Sequence, residues 1–526
     1  MDYSTGKLAF IFIVATLLAT VFALLLARRY RHTMRTLMSA PAAAPPPGAD
    51  VRLAAVGAPA RIGVADNRRA GWRVTAMLVM MSALISFSSA WLFLSVAMAR
   101  ENVFTPARLI VLGLLNLWPV IPALGLLWRW SRARMLGALA LWFVASLALM
   151  SWRSIEAQPL STMMLYLGSE IGVPMLFIAA LCLGGATRAI APWLLPLTLV
   201  LVWASIAGVD LLAWIVQARS DWLKAMPGWL NAYVVMLGFV VAPWLIAWWP
   251  ARQLGRWLGA AYTRKWLSEL IVLFTAVWGI VLLMRALGAG GDMGLAGAVM
   301  LLPLAWVPAT MAIAGRQPTP PGRPPTLLVL RVFQRDAQVQ ALFDDVVERW
   351  RLTGNTVLIA GTDLVERTID ASDIFSFIDG RLGERFIRHP AEVNARVAGF
   401  DLQRDADGRH RINEVYCHDS TWQQALDALV AGSDVVLMDL RSFKTHNRGC
   451  RHELGVLARA PRLGRVVVLT DGDTDRGEAA AATAGAPPGR FVWIDSARVN
   501  AAKRREVLAA LFVADTAATS LNPEHR

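Results

Sequence analysis

The chain has 526 residues, of which 56% are hydrophobic and 17% charged, a balance that excludes an ordinary soluble protein and leaves room for two or three domains. Its formal charge of +14 is uneven: residues 1–321 hold 25 Lys and Arg against 10 Asp and Glu, and residues 322–526 hold 27 against 28. The basic excess therefore belongs to loops between apolar runs, and the near-neutral remainder argues against nucleic acid as a partner.

The first apolar run, Leu8 to Ala27, is followed by Arg28, Arg29, Arg31 and Arg35. A cleaved signal would carry its charge ahead of the run, so residues 1–35 are expected to be a retained transmembrane helix with a basic flank. Residues 36–72, with their Ala-Pro-Ala-Ala-Ala-Pro-Pro-Pro-Gly stretch, are expected to be a flexible cytoplasmic linker. Long apolar runs resume at about 74–98, 108–128, 135–151, 166–186, 192–215, 229–249, 266–287 and 294–314. Each approaches the length of about 20 residues that a helix needs to cross hydrocarbon, so residues 73–314 form a bundle of about eight more helices.

Nine spans with the N-terminus outside put 18 basic residues on the inner side and seven on the outer. This bias predicts an integral protein of a bacterial inner or plasma membrane, with its C-terminal domain in the cytoplasm. Glu170, Asp210 and Glu269 are carboxylates in or beside hydrocarbon, and Asp210 is the one most embedded in apolar sequence. It fits either a cation or proton site or an acid satisfied by a neighbouring helix. No selectivity-filter loop or repeated broken-helix pattern accompanies it.

Residues 315–325 contain five prolines, which predict a stiff connector between the bundle and a water-soluble domain. From Thr326 the pattern alternates between short apolar runs and amphipathic segments. Strands are expected near 326–333, 356–360, 433–440, 465–470 and 491–494, and helices near 337–352, 370–382, 421–430, 449–460 and 501–512. Leu342, Val346, Val347 and Trp350 make the buried stripe of the first of these helices. Residues 384–421 read as an insertion with a turn at Asp405–Gly408 and a strand near 411–417, and 472–489 as a loop. The fold class is then a multi-pass helical membrane domain followed by a cytosolic α/β domain over 326–515. That domain has about five mostly parallel strands in a flavodoxin-like arrangement, and 516–526 form a loose tail.

Ser433 to Leu454 contains a strand, a polar loop and Cys450-x-x-Glu453-Leu454. This segment resembles the TIR (Toll/interleukin-1 receptor) domain family, in which the strand and loop lead to Cys-x-x-Glu-Leu at a helix start. In NAD-cleaving members of that family the glutamate is catalytic. The resemblance implies Glu453 as the catalytic carboxylate, self-association into a homo-oligomer, and NAD or a related nucleotide as substrate or ligand rather than a tightly bound cofactor. The chain has Arg331-Val-Phe-Gln-Arg335 where the family carries an aromatic-Ile-Ser-Tyr-like strand ending, and Asn447-Arg-Gly449 where it carries a serine.

The chemistry is independent of the name. A carboxylate beside a ribose stabilises the oxocarbenium-like state of N-glycosidic cleavage. Asp439, Arg441, Arg448 and Cys450 are the candidate ligand-binding residues around it, the two arginines suiting phosphates. A glutamate early in the helix would be kept ionised by the helix amides. Cys417, His418, Asp419, His446, Cys450 and His452 include zinc-type ligands, but their spacing matches no closed site, and no metal is expected. Three roles follow: a membrane-tethered signalling or defence-type protein that binds or hydrolyses a nucleotide, a non-catalytic sensing or oligomerisation module coupled to the bundle, or a transporter or channel with a regulatory domain. A purely sensing bundle predicts a closed, apolar interior.

Overall fold

The computed structural model describes residues 20–21, 24–37, 57–153, 159–172, 175–176, 178, 185–218, 232–314, 322–330, 337–360, 371–378, 380–418 and 421–512. By internal contacts these residues divide into two units. The described parts of Met1–Tyr30, Met77–Ile313 and Ile369–Gly380 form a helical unit, and those of Arg31–Ala76, Ala314–Thr368 and Arg381–Arg526 form an α/β unit.

The helices before residue 315 are α1 (Val64–Leu92), α2 (Pro106–Leu115), α3 (Val120–Leu127), α4 (Arg132–Arg153), α5 (Leu160–Leu167), α6 (Gly185–Ala218), α7 (Ala232–Val241), α8 (Pro243–Thr263), α9 (Glu269–Met293) and α10 (Trp306–Ala314). A π-helical turn, Phe93–Ala97, extends α1. Among the described residues five stretches are long and apolar enough to span a bilayer: Val64–Ala97, Arg132–Arg153, Val234–Thr263, Glu269–Ala286 and Ala296–Ile313. A sixth arises if α2 and α3, bent by 40° at their break, are one span. These helices place the chain in a membrane.

The nine spans expected from sequence are not all present in this count. The first run lies mostly outside the described residues, 166–186 does so in part, and in the 192–215 run only Trp203–Ala218 registers, as a shorter apolar helix. The run at 294–314 is also not a regular α-helix. Gly294–Ala305 is a 3₁₀-helix containing Pro303, and α10 completes it. A 3₁₀ segment of that length is uncommon, and Gly294, Gly297 and Pro303 all lower the preference for α geometry. Gly208 shows how tightly α6 packs on α7, since a Cβ there would collide with the Phe239 carbonyl oxygen. The short helix Ala371–Ile378 also belongs to this unit. Its buried Asp373 accepts a hydrogen bond of 3.0 Å from the buried Tyr30 hydroxyl, and Phe377 meets the Tyr30 ring edge-on at 5.8 Å.

The α/β unit is built on β1 (Thr326–Leu330), β2 (Asn355–Ala360), β3 (Phe386–Ile387), β4 (Ile412–Cys417), β5 (Val435–Asp439), β6 (Arg465–Thr470) and β7 (Phe491–Asp495). They form one sheet in the order β3-β4-β2-β1-β5-β6-β7, with every pairing parallel. The sequence reading of about five strands is corrected to seven. The stretch read as an insertion supplies β4 and the two-residue β3, which extend the sheet beyond β2.

Strand side chains alternate between two cores, which is why the strands are apolar throughout. Leu328, Val436, Val466 and Val468 pack on one face with α12 (Val393–Ala398), α13 (Trp422–Gly432), α14 (Arg448–Arg459) and α15 (Arg476–Ala482). The helix α15 lies within the stretch expected to be a loop. Leu327, Val329, Leu437 and Val467 face α11 (Ala337–Trp350) and α16 (Ala501–Leu511). The expected α11 stripe of Leu342, Val346, Val347 and Trp350 is buried here. Each such side chain contributes about 1.5–3 kcal/mol on burial. Gly354 ends α11 where nothing larger fits: a Cβ would lie 2.6 Å from Trp350 Nε1 and 2.7 Å from the Pro325 carbonyl oxygen.

Two connecting segments depart from the composition-based expectation. Residues 57–72 are not a loose linker. Ala60 N–H donates to the Arg323 carbonyl at 2.7 Å, Ile62 enters the core beside Leu327, and Asn67 Nδ2 donates to the Arg349 carbonyl at 2.7 Å and to Thr353 Oγ1 at 2.9 Å. Residues 38–56 lie outside the described part. Of the proline-rich connector only 322–325 is described, and there Arg323 pairs with Asp434, whose carboxylate also accepts the Thr326 N–H at 2.8 Å.

The amino edge of the sheet carries a dense charged network. Glu348 bridges Arg351 at 3.0 Å and Arg409 at 3.2 Å, Asp407 pairs with Arg409 at 2.9 Å, and Asp405 pairs with Arg411 at 2.7 Å. All six side chains are buried or nearly so. His410 Nδ1 lies 2.9 Å from Asn355 Oδ1, and its carbonyl accepts from Arg351 Nε at 2.7 Å.

Candidate active site

In a parallel sheet of this kind the crevice for a ligand opens at the carboxyl ends of strands where the winding reverses. Here β1 is followed to one side by β2 and to the other by β5, so the reversal lies between β1 and β5. The loop after β1, residues 331–336, is outside the described part. The other side is formed by the end of β5 and the start of α14.

Asp439 is the last residue of β5 and is buried. Its carboxylate accepts the Arg441 backbone N–H at 3.1 Å and is gripped by the Arg441 guanidinium through Nε at 2.9 Å and Nη2 at 2.7 Å. Sequence reasoning offered Asp439 and Arg441 as separate ligand-binding groups. The fold commits them to each other, in a turn-capping pair that fixes the first residues after the strand. Ser442, next in the chain, adopts a left-handed backbone with φ of +56°, unusual for a residue with a side chain. It is held there by Asp471, at the carboxyl end of β6, which accepts the Ser442 N–H at 2.9 Å. Burial works against the Asp471 charge. Hydrogen bonds from the Ser442 and Asp473 N–H groups and the Thr474 and Ser442 hydroxyls outweigh it and hold the carboxyl below its ordinary range.

The helix α14 begins at Arg448, so Glu453 is its sixth residue and lies beyond the first turn. Donation from the helix's free amides and the effect of its dipole both fade past that turn. The expectation of a glutamate kept ionised by helix amides is therefore overturned. Glu453 is partly buried beside Leu454 and Cys450 of the core, and burial pushes its carboxyl up to about 7. It has no hydrogen-bond or ion-pair partner among the described residues.

Cys450, one helical turn before Glu453, is buried. Burial, the Glu453 charge and the Asp439 charge together push its thiol up to about 12. The same influence brings Asp439, Cys450 and Glu453 into one neighbourhood, and it makes Cys450 a neutral packing residue at physiological pH rather than a nucleophile. Arg448 is exposed at the start of α14 and forms no ion pair among the described residues. The Asn447 side chain does not cap the helix, because it accepts from the Lys444 N–H at 2.8 Å instead.

One aromatic group beside this edge, Trp422, was not singled out from sequence, and it meets a histidine that was. Trp422, at the start of α13, and His452, adjacent to Glu453 in the chain, meet edge-to-face at 5.5 Å. At the end of β4, His418 has a buried Nε2 without a partner among the described residues. No group of three or more His, Cys, Asp and Glu suited to a metal occurs among the described residues. Asp210, the membrane carboxylate singled out from sequence, is half-buried in α6, and the side chain of Glu170 lies outside the described part.

Comparison with protein-family models, with curated proteins and with solved structures finds no match for this chain.

Proposed function

We propose that the α/β unit is a TIR-like, membrane-tethered domain that binds NAD or a related nucleotide and cleaves its nicotinamide–ribose bond, with Glu453 as the catalytic carboxylate. The observation that carries this reading is an acid with no partner among the described residues, lifted to about 7 by burial, at the edge of the sheet where ligands bind in related architectures. The strand order β2-β1-β5-β6-β7 follows the 2-1-3-4-5 winding of flavodoxin-type sheets, with β4 and β3 added outside it.

In the reaction the C1′–N bond breaks and its electron pair leaves with nicotinamide, which departs neutral. The ionised Glu453 stabilises the positive ribosyl centre. Water then adds its oxygen to C1′, and the proton it loses passes to Glu453. Because the carboxylate form is required, kcat/KM rises with pH through about 7 and then levels. The charge bias of the loops supports a cytoplasmic location for this domain, and the family resemblance supports self-association.

The test is nicotinamide release from NAD by the full-length protein in lipid nanodiscs, beside Glu453→Gln. Release by wild type alone supports the reading. Equal release by both, or none by either at high protein density, overturns it. The commitment of Arg441 to Asp439 favours one alternative, a sensing module without turnover, because it removes an arginine from phosphate binding. That module would bind nucleotide with equal affinity in both proteins and release nothing.

A further inference from the structure

The turn before β4 carries a cation that the charged network at the amino edge does not neutralise. In that turn Asp401 and Asp405 pair with Arg411, and Asp407 pairs with Arg409. Arg404 bonds instead to a histidine, its Nε donating to His410 Nε2 at 3.3 Å. To accept there, Nε2 must carry no proton. The ring hydrogen is then on Nδ1, 2.9 Å from Asn355 Oδ1, and His410 is neutral. The guanidinium is therefore held in place without a counter-charge, and its terminal nitrogens have no partner among the described residues.

A second cation stands near it. The start of α1 and the turn before β4 dock on the same end of α11. Asn67 Nδ2 donates to the Arg349 carbonyl and to Thr353 Oγ1, and the His410 N–H donates to the Arg351 carbonyl at 2.7 Å. Arg73 follows Asn67 on α1, and it belongs with Arg404 to the α/β unit, which takes in α1 as far as Ala76. Burial and then the charge of Arg73 lower the Arg404 guanidinium from its ordinary value, as a like charge close by does. Arg73 is exposed and has no ion pair among the described residues. The acid on its own face of the helix, Asp66, is taken by Arg69 at 2.7 Å and by the Gly63 N–H at 3.0 Å. Two neighbouring guanidiniums without counter-charges repel each other, and an anion between them relieves that repulsion.

Depth in the membrane decides which anion. Arg73 is the last charge on the span Val64–Ala97, and residues 74–99 carry none. Hydrocarbon begins there, and the exposed Trp72 beside it is the ring expected at headgroup level. The pair therefore meets lipid phosphates at high local concentration. A zwitterionic headgroup brings its own cation to such a site, and an anionic one does not. We propose that Arg73 and Arg404 together clasp the phosphate of an anionic phospholipid in the leaflet where α1 enters the bilayer. The α/β unit then holds that leaflet by a headgroup as well as by the helix that anchors it.

The test follows energy transfer from tryptophan to dansyl-tailed phosphatidylglycerol or phosphatidylcholine, titrated into the full-length protein in micelles of a neutral detergent. Saturable binding of phosphatidylglycerol in preference to phosphatidylcholine is expected. Arg404→Gln and Arg73→Gln should each raise the apparent Kd about fivefold, the effect of one cation at a lipid surface. Arg73 is exposed and holds no described group in place, so its variant keeps the test decisive where Arg404→Gln fails to fold. Arg68→Gln removes an exposed arginine from another face of α1 and should leave Kd within about twofold. Equal binding of the two lipids overturns the proposal. So do equal losses in all three variants, which mark diffuse attraction. Displacement of the lipid by millimolar inorganic phosphate at constant ionic strength would assign the pair to a soluble anion and overturn the proposal as well.

Discussion

The two edges of the sheet differ in how completely they pair their carboxylates. At the amino edge Glu348, Asp405 and Asp407 each contact an arginine, and the network knits the end of α11 to the turn before β4. At the carboxyl edge Asp439 and Asp471 are also satisfied, and Glu453 has no partner among the described residues. Paired charges fix geometry at little net gain, whereas a single unpaired acid lowers stability and is ready to exchange a proton. The contrast separates the structural end of the domain from the end that can do chemistry.

Breaking the paired edge should have the largest effect on stability. Arg409→Leu leaves Glu348 and Asp407 without one of their cations in a buried setting, and a loss of about 3–5 kcal/mol is expected in thermal or denaturant unfolding of the full-length protein. At the unpaired edge, Glu453→Gln should reduce nicotinamide release at least about 100-fold. The same variant should be more stable than wild type at pH 8. The folded-state pKa of Glu453 is raised, so its contribution to stability is fully present below its unfolded value near 4.5 and is lost as pH rises through about 7. The glutamine variant should therefore show a flatter stability profile between pH 5 and 8, the difference reaching at most about 3 kcal/mol.

Asp405 sharpens the comparison from the other side. Burial raises it to about 6, against the pull of Arg411 and with a push from Asp407. Its contribution is present below about 4 and lost as pH rises through about 6, so Asp405→Asn should flatten the profile over that lower window. The change should be at most about 3 kcal/mol, much as at Glu453, because the value of about 6 already includes the pull of Arg411. The smallest stability effect should come from Arg448→Ala. Exposed and without an ion pair among the described residues, it should change stability by less than about 0.5 kcal/mol while raising KM for NAD with kcat unchanged.

Local pattern carried much of this architecture. The apolar runs, the α11 stripe and the five principal strands were legible because each is set by residues near in sequence. The widening of the sheet was not, since nothing local tells β4 to pair with β2 or β3 to fit beyond it. At the site, Cys450 and Glu453 were visible as a motif, but their protonation was not. It depends on the core that closes over α14, and with the helix starting at Arg448 Glu453 lies beyond the first turn, past the free amides. Arg441 was visible as a cation, but its capture by Asp439 depends on the turn between them. Trp422 and His452 lie 30 residues apart and meet only through packing of α13 on α14.

The segment around Ala60 and Ile62 has a consequence for synthesis. It is made early, yet the partners that complete it, Arg323 and the β1 side chain Leu327, leave the ribosome more than 250 residues later. The α/β unit therefore cannot close until the helical unit has been translated. The early segment must wait in a form that does not pair elsewhere, and Arg61 beside Ile62, with the Gly57 and Pro59 that precede it, disfavours premature strand pairing. A fragment starting at residue 322 would lack this piece and expose the face of β1 that Ile62 covers. Assembly order is thereby written into the chain, with insertion of the helices first and closure of the sheet domain last.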